Sequence, residues 1–527
     1  MPRAVTLLHD FLHDSAARLP DKCALVCAGR GSTYAELEAA SNGLACALRR
    51  RGVQRGDRVV VFAENSRTAA ISFWGALKAD AIVSMVNAGT KAEKLAFILN
   101  DCRATALIAA PHLASTFVPA ALRAPHLRAV IVDGLLPSEG ASLPGLCTWE
   151  SALGVESGAR PPARRAIDID AAAIVYTSGS TGEPKGVLLT HRNMLTASAS
   201  ITAYLENVED DVILGVLPLS FDYGLYQLIM ASQLGARLVL EKSFVFPQRV
   251  METVVRERVT GFPGVPTLFA TLAEMESLPG FDLSAVRYVT NTAAALPFKH
   301  IRKLGEIFPQ ARIYSMYGLT ECKRCTYLPP ADLLRKPGSV GIAIPNTELW
   351  LVDEQDRRLG PGKVGQLVIR GATVMAGYWE KPEATAQRLR PGPLPGERVL
   401  YTGDLCRLDD DGYLYFVARM DDIIKSRGEK VAPKEVENAL VEVAGVKEAA
   451  VVGVPDARLG EAICAFVVLE KGAVLTSERL LLECRQRLEP FMVPQQIVFL
   501  RELPKTSSGK IHKAGLREQR PATEATP

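Results

Sequence analysis

The stretch "TSGSTGEPKG", residues 177–186, gathers hydroxyls, glycines and one lysine between the apolar runs "IVY" and "VLL". Thr177, Ser178, Ser180 and Thr181 supply hydroxyls, while Gly179, Gly182 and Gly186 allow close backbone approach. Lys185 adds a positive charge, and the set suits the oxygens of a polyphosphate. Its spacing matches neither G-x-x-x-x-G-K-[ST] nor G-x-G-x-x-G, so a flexible polar turn is the competing reading. In "YGLTECKRCTYLPP", Cys322 and Cys325 stand at CxxC spacing. A zinc site wants a second such pair or nearby histidines, and none follows; two unlinked neighbouring thiols are expected.

These residues need a scaffold. The first half alternates helix-like with strand-like segments. "TYAELEAASNGLACALRR" has helical periodicity, with Thr33 and Glu36 placed for a capping box, and "DRVVVFAEN" reads as a buried strand. "TAAISFWGALKAD" and "KAEKLAFILND" are helical, whereas "AIVSMVN" and "ATALIAA" are strand-like. The alternation predicts α/β architecture, a parallel sheet covered by helices on both faces. "IVY" then ends a strand, and loops at carboxyl ends of parallel strands are where ligands sit. Near the end, hairpin-like "GYLYFVAR", strand-like "KEAAVVGVPD" and "AICAFVVLEKG", and helical "SERLLLECRQRL" predict a smaller α+β domain.

The chain has 527 residues, 48% of them hydrophobic and 23% charged, enough for a large domain and a small one. A net charge of +3 is too weak to argue for nucleic acid. His9 and Asp10 interrupt any signal-like run, and the uncharged run 104–122 holds Pro111, His112 and Pro119. That run reads as a strand and then a loop, so no membrane span is expected. Ten cysteines without a secretion signal predict reduced thiols in a cytoplasmic protein.

"YTSGSTGEPKGV" resembles the phosphate-loop signature of the AMP-forming adenylating enzymes, which include acyl-CoA synthetases, adenylation domains and luciferases. "YGLTE", "YTGDL", "ARMDDIIKSRGEKVAPKEVE" and "PKTSSGKIHK" resemble the family's later motifs in order, so the resemblance spans nearly the whole chain. It implies a large N-terminal domain, 1–418, a hinge at 419–421 and a small mobile lid, 422–527. It implies ATP and Mg²⁺, with the loop holding the β- and γ-phosphates while a carboxylate attacks the α-phosphorus. The acyl-adenylate then passes its acyl group to a thiol, releasing AMP. By the same resemblance Tyr317 flanks adenine, Thr320 reaches the α-phosphate, Glu321 ligates magnesium, and Asp404 accepts from the ribose hydroxyls with Arg419 nearby. Lys510 is the catalytic lysine, Asp421 the hinge residue, and Lys425 and Gly428 line the thiol channel.

The acid is read from a departure. Many acyl- and aryl-CoA ligases carry histidine in a motif like "LPLFH", and here "LPLSFDYGLYQL" has Phe221 instead. Asp222 matches the aspartate that binds a substrate ammonium in amino-acid-activating domains; a helix-capping aspartate is the alternative. Tyr223, Tyr226 and Met316 fall near pocket-lining positions. The segments "SFDYGLYQL" and "MYGLTECKRCTYLPP" resemble most the stand-alone ligases that load L-proline onto a separate phosphopantetheinylated carrier protein. A CoA ligase for a small or fatty carboxylic acid stays open, as does a nucleotide-binding regulatory protein. Glu321, Asp404 and Lys510 together argue against the last.

Overall fold

The computed structural model describes residues 5–135, 142–154, 160–178, 184–275, 278–292, 298–426, 429–456, 458–505 and 511–518. The chain divides into two compact units. One comprises Met1–Glu348 with Ile369–Leu400, the other Leu349–Val368 with Tyr401–Pro527.

The larger unit is built on two sheets. In the nine-stranded one, Val212–Gly215, Arg237–Leu240, Gly261–Gly264, Tyr288–Asn291 and Arg312–Tyr317 run parallel through the middle. Antiparallel strands close its edges, Thr326–Leu328 pairing with Arg312–Tyr317 and, beyond it, Ile342–Ala343 at one rim, and Arg30–Thr33 with Cys23–Cys27 at the other. The eight-stranded sheet runs in the order Gly377–Tyr378, Pro184–Thr190, Ala171–Ser178, Ile82–Val86, Arg58–Phe62, Ala104–Ala109, Ala129–Val132, Cys147–Thr148. Its central strands are apolar on both faces, as a parallel sheet buried between helices requires.

Local signals set the helices. Thr33 and Glu36 form the expected capping box on Tyr34–Arg50, and Thr190 with Asn193 forms another on His191–Tyr204. One expectation fails. The second half of 104–122 is not a loop but the helix Ala114–Leu122, with Pro119 inside it. Burial of Phe117, Val118, Ala120 and Ala121 against the sheet outweighs the hydrogen bond that the proline forfeits.

In the second unit, Leu414–Arg419 pairs antiparallel with Arg398–Leu408. A further five-stranded sheet holds Ile424–Ser426, Glu429–Val431, Val446–Asp456, Gly460–Leu469 and Gln496–Phe499. It packs the helices Pro433–Val441 and Ser477–Arg487 around Val436, Leu440, Val451, Ile463 and Leu480. All ten cysteines are unlinked. Among the described residues no helix is long and apolar enough to cross a membrane.

Candidate active site

Both flanks of the hydroxyl-rich stretch lie in paired strands. Ala171–Ser178 pairs with Pro184–Thr190, setting Tyr176 opposite Gly186, Thr177 opposite Lys185 and Ser178 opposite Pro184. Thr177 Oγ1 donates to the carbonyl of Lys185 at 3.4 Å. Gly179, Ser180, Thr181 and Gly182 lie outside the described residues. The far limb is clamped by a segment almost two hundred residues later. Gly377–Tyr378 pairs with it, and Trp379 N–H donates to the Gly186 carbonyl at 2.7 Å. A Cβ on Gly186 would stand 2.7 Å from Ile174 Cγ2, so a larger residue here must displace that side chain.

Tyr378 joins two of the candidate residues. The Lys185 ammonium lies 5.7 Å from its ring centroid, and its hydroxyl donates to Glu321 Oε1 at 2.7 Å. Glu321 is further fixed where its own carbonyl accepts from Met375 N–H at 2.7 Å. Thr320 and Tyr317 are half-buried beside it, Tyr317 ending its strand opposite Thr326. The turn that aims them closes tightly, since a Cβ on Gly318 would stand 1.9 Å from the Lys323 carbonyl oxygen. Sequence reasoning missed Tyr378; the Gly-Tyr-Trp cluster in "MAGYWEK" was the available signal.

The acid candidates occupy the start of helix Asp222–Leu234. Asn65 holds the approach to that helix. Its amide donates to the carbonyls of Leu217 and Glu241, and its Oδ1 accepts from Leu219 N–H at 2.8 Å. Asp222 is not the cap; Phe221 takes that place, and Asp222 Oδ1 accepts from Tyr223 N–H at 2.9 Å. Tyr223 donates its hydroxyl to the Thr290 carbonyl at 2.8 Å, and Met316 Sδ accepts from the Tyr204 hydroxyl at 2.9 Å.

Two buried cations, set between cysteines in the sequence "CKRC", stand in this cluster. Lys323 Nζ lies 4.0 Å from Asp222 Oδ2 and 5.8 Å from the Tyr226 ring centroid. Arg324 stacks 4.3 Å over the Tyr223 ring. Burial pushes the Lys323 ammonium below its usual range, and the Asp222 and Glu321 carboxylates pull it back. Burial, then the Asp222 charge, holds the Tyr226 phenol well above normal, so it remains a donor. Asp222 is thus paired to the chain's own ammonium, which stands against its expected service to a substrate ammonium. Cys322 and Cys325 are both buried with their sulfurs 2.8 Å apart and unlinked.

In the second unit, buried Asp404 follows Gly403, whose φ is 74°, and accepts from Arg419 Nε at 2.6 Å across the hairpin. Asp421 is exposed in the short turn Met420–Asp422. Lys425 is exposed, its N–H donating to Glu461 Oε2 at 2.7 Å. Lys510 and Gly428 lie outside the described residues. Among the described residues no group of three or more His, Cys, Asp or Glu could hold a metal by itself. Glu321 still fits magnesium, which takes few protein carboxylates and completes its shell with phosphate oxygens and water.

The family description "AMP-binding enzyme" matches residues 12–379, and "AMP-binding enzyme C-terminal domain" matches residues 435–510. The long-chain-fatty-acid–CoA ligase of Bacillus subtilis (strain 168) is 33% identical, covering 98% of this chain and 95% of its own. An anthranilate CoA ligase in complex with anthranoyl-AMP superposes with a TM-score of 0.88 at 28% identity, over 97% of this chain and 96% of its own. ATP-bound MatB from Rhodopseudomonas palustris gives 0.86 at 28% identity, over 97% and 98%. With the family's two regions both matched in order and relatives aligned along nearly its full length, the chain belongs to the AMP-binding enzyme family.

Proposed function

We propose that the protein is an AMP-forming ligase that joins a carboxylic acid to the thiol of coenzyme A. Its near-full-length kinship with enzymes named as CoA ligases carries the reading. The pairing of Asp222 with Lys323 supports it over activation of L-proline for a carrier protein.

In the first half-reaction a carboxylate oxygen attacks the α-phosphorus of ATP, a new P–O bond forms, and pyrophosphate leaves. The phosphate loop, residues 177–182, with Lys185 cradles the β- and γ-phosphates. Tyr378 holds Lys185 and Glu321 in fixed relation, so the charges meeting the nucleotide are oriented before it arrives. Tyr317 presents its ring to adenine, and Thr320 donates to the α-phosphate. Glu321 would hold magnesium, which supplies neutralising charge to the phosphates when bound. Asp404, steadied by Arg419, accepts from the ribose hydroxyls. Lys510 donates to the oxygens on which charge shifts during attack. In the second half-reaction the thiolate attacks the acyl carbonyl, the thioester bond forms, and AMP leaves with the anhydride electrons. Asp421 serves as the hinge, and Lys425 and Gly428 line the thiol's approach.

Pyrophosphate exchange across a panel of acids, followed by thioester formation with CoA and with a phosphopantetheinylated carrier protein, tests the reading. Exchange driven by acids without an amine, with the product on CoA, is expected. Exchange driven by L-proline alone, with product only on the carrier protein, would overturn it.

A further inference from the structure

The wall formed by helix Asp222–Leu234 and residues 322–325 carries buried donors that the described residues do not satisfy. The Lys323 side chain is 1% exposed, and its nearest carboxylate oxygen, Asp222 Oδ2 at 4.0 Å, is too far for a direct hydrogen bond. Tyr226 lies one helical turn beyond Asp222 on the same face, is buried, and its hydroxyl has no hydrogen-bond partner among the described residues. Arg324, also buried, leaves its Nε without one. Against these donors stands the buried Asp222 carboxylate, whose Oδ1 already accepts from Tyr223 N–H. Of this cluster Asp222 also lines a small, mostly apolar cavity with Ile174, Leu219, Ser220 and Leu225.

Buried donors without acceptors are costly and call for a partner, which at a substrate pocket a ligand can supply. The completing group must bring lone pairs. An ammonium brings only N–H bonds and a positive charge, and here it would meet the Lys323 ammonium and the Arg324 guanidinium. A plain hydrocarbon chain would leave the donors as they are.

Resting on the CoA-ligase reading above, we propose that Lys323 and Tyr226 are specificity-determining residues, selecting acids that carry a hydroxyl or oxo oxygen on their carbon chain and rejecting amino acids. The oxygen accepts from the Tyr226 hydroxyl and the Lys323 ammonium. Asp222 acts as the resident counter-ion that makes burial of that ammonium tolerable.

The test is CoA-dependent AMP release by the full chain with ATP and magnesium. The acids are straight-chain and of short, medium and long length, each unsubstituted or bearing hydroxyl, oxo or amino groups at successive carbons. The best oxygenated isomer should exceed its unsubstituted parent by about 10- to 100-fold in kcat/KM, the range for a hydrogen bond to a charged group. Amino isomers should fall below the unsubstituted acid. Tyr226→Phe should bring the oxygenated-to-unsubstituted ratio toward one. Lys323→Met should do the same and raise the amino isomers relative to the unsubstituted acid, a reversal that general damage does not produce. Equal rates for oxygenated and unsubstituted acids in the parent enzyme would overturn the proposal, even if neither variant folds. So would ratios unchanged in both variants. If no acid at all releases AMP with CoA, the CoA-ligase reading fails and takes the proposal with it.

Discussion

Tyr378 is the side chain whose removal should be most informative. Tyr378→Phe keeps the ring under Lys185 and deletes the donor to Glu321. Loss of a hydrogen bond to a carboxylate costs about 1.5–3 kcal/mol, so pyrophosphate exchange should fall about 10- to 100-fold in kcat/KM. Tyr378→Leu should fall further, by the additional ~0.5–1 kcal/mol of the cation–π contact. Equal activity of parent and Tyr378→Phe would show that the tyrosine only packs. Lys510→Ala should lower adenylation by roughly 10²–10³ and spare thioester formation from supplied acyl-adenylate, because the lysine is assigned to the first transition state alone. Comparable losses in both steps would remove that assignment. Glu321 and Asp404 were legible as candidates because each sits inside a short run of characteristic neighbours. Tyr378 was not, since its partner lies 57 residues away and only folding joins them. Lys323 was hidden differently. A lysine in "CKRC" looks solvated in sequence, and only burial reveals it as the ion partner of an aspartate 101 residues earlier, 323 less 222.

Helices and turns repeat the lesson one level up. The capping box at Thr33 and the apolar strand runs were readable because local chemistry and tertiary burial agree there. The helix Ala114–Leu122 was not, because Pro119 argues locally against what the sheet's apolar face imposes. The turn at Gly318 is a place where sequence and packing coincide again. With 1.9 Å between an added Cβ and the Lys323 carbonyl, Gly318→Ala must displace backbone rather than a flexible side chain. A cost of about 2 kcal/mol or more is expected, the usual scale for overpacking against atoms that cannot move aside. Because the same turn aims Tyr317, Thr320 and Glu321, pyrophosphate exchange should fall more steeply than the thermal midpoint. A variant with parental exchange and an unchanged midpoint would mean that the turn opens freely.

For the larger unit as a whole, His191 ties distant segments together. Its Nδ1 accepts from Leu8 N–H at 3.1 Å, and burial holds its pKa down to about 4, against 6.5 when free. The unfolded chain therefore takes up a proton below about pH 6.5 that the folded chain refuses. The stability this neutral ring contributes is present above that pH and is lost as pH falls toward about 4, up to ~3 kcal/mol. Thermal unfolding near pH 7 and near pH 5 should show a larger drop in the parent than in His191→Gln, whose amide still accepts but does not titrate. Identical drops would place the acid sensitivity elsewhere. The α/β architecture was legible from alternation alone. The division into units, with Leu349–Val368 joining the part that begins at Tyr401, was not, since nothing in the sequence marks a segment that leaves one unit and returns.

The clasp of Gly377–Tyr378 on Pro184–Thr190 also sets an order of events during synthesis. A ribosome has made the paired strands Ala171–Ser178 and Pro184–Thr190 long before it makes the strand that secures them. Until residue 379 emerges, Pro184–Thr190 is the bare rim of its sheet, and Gly186 lacks the N–H that Trp379 supplies. Such a rim is a template for pairing with other chains. Nascent chains stalled before Gly377 should therefore be captured by chaperones or clump, and those released just after Trp379 should not.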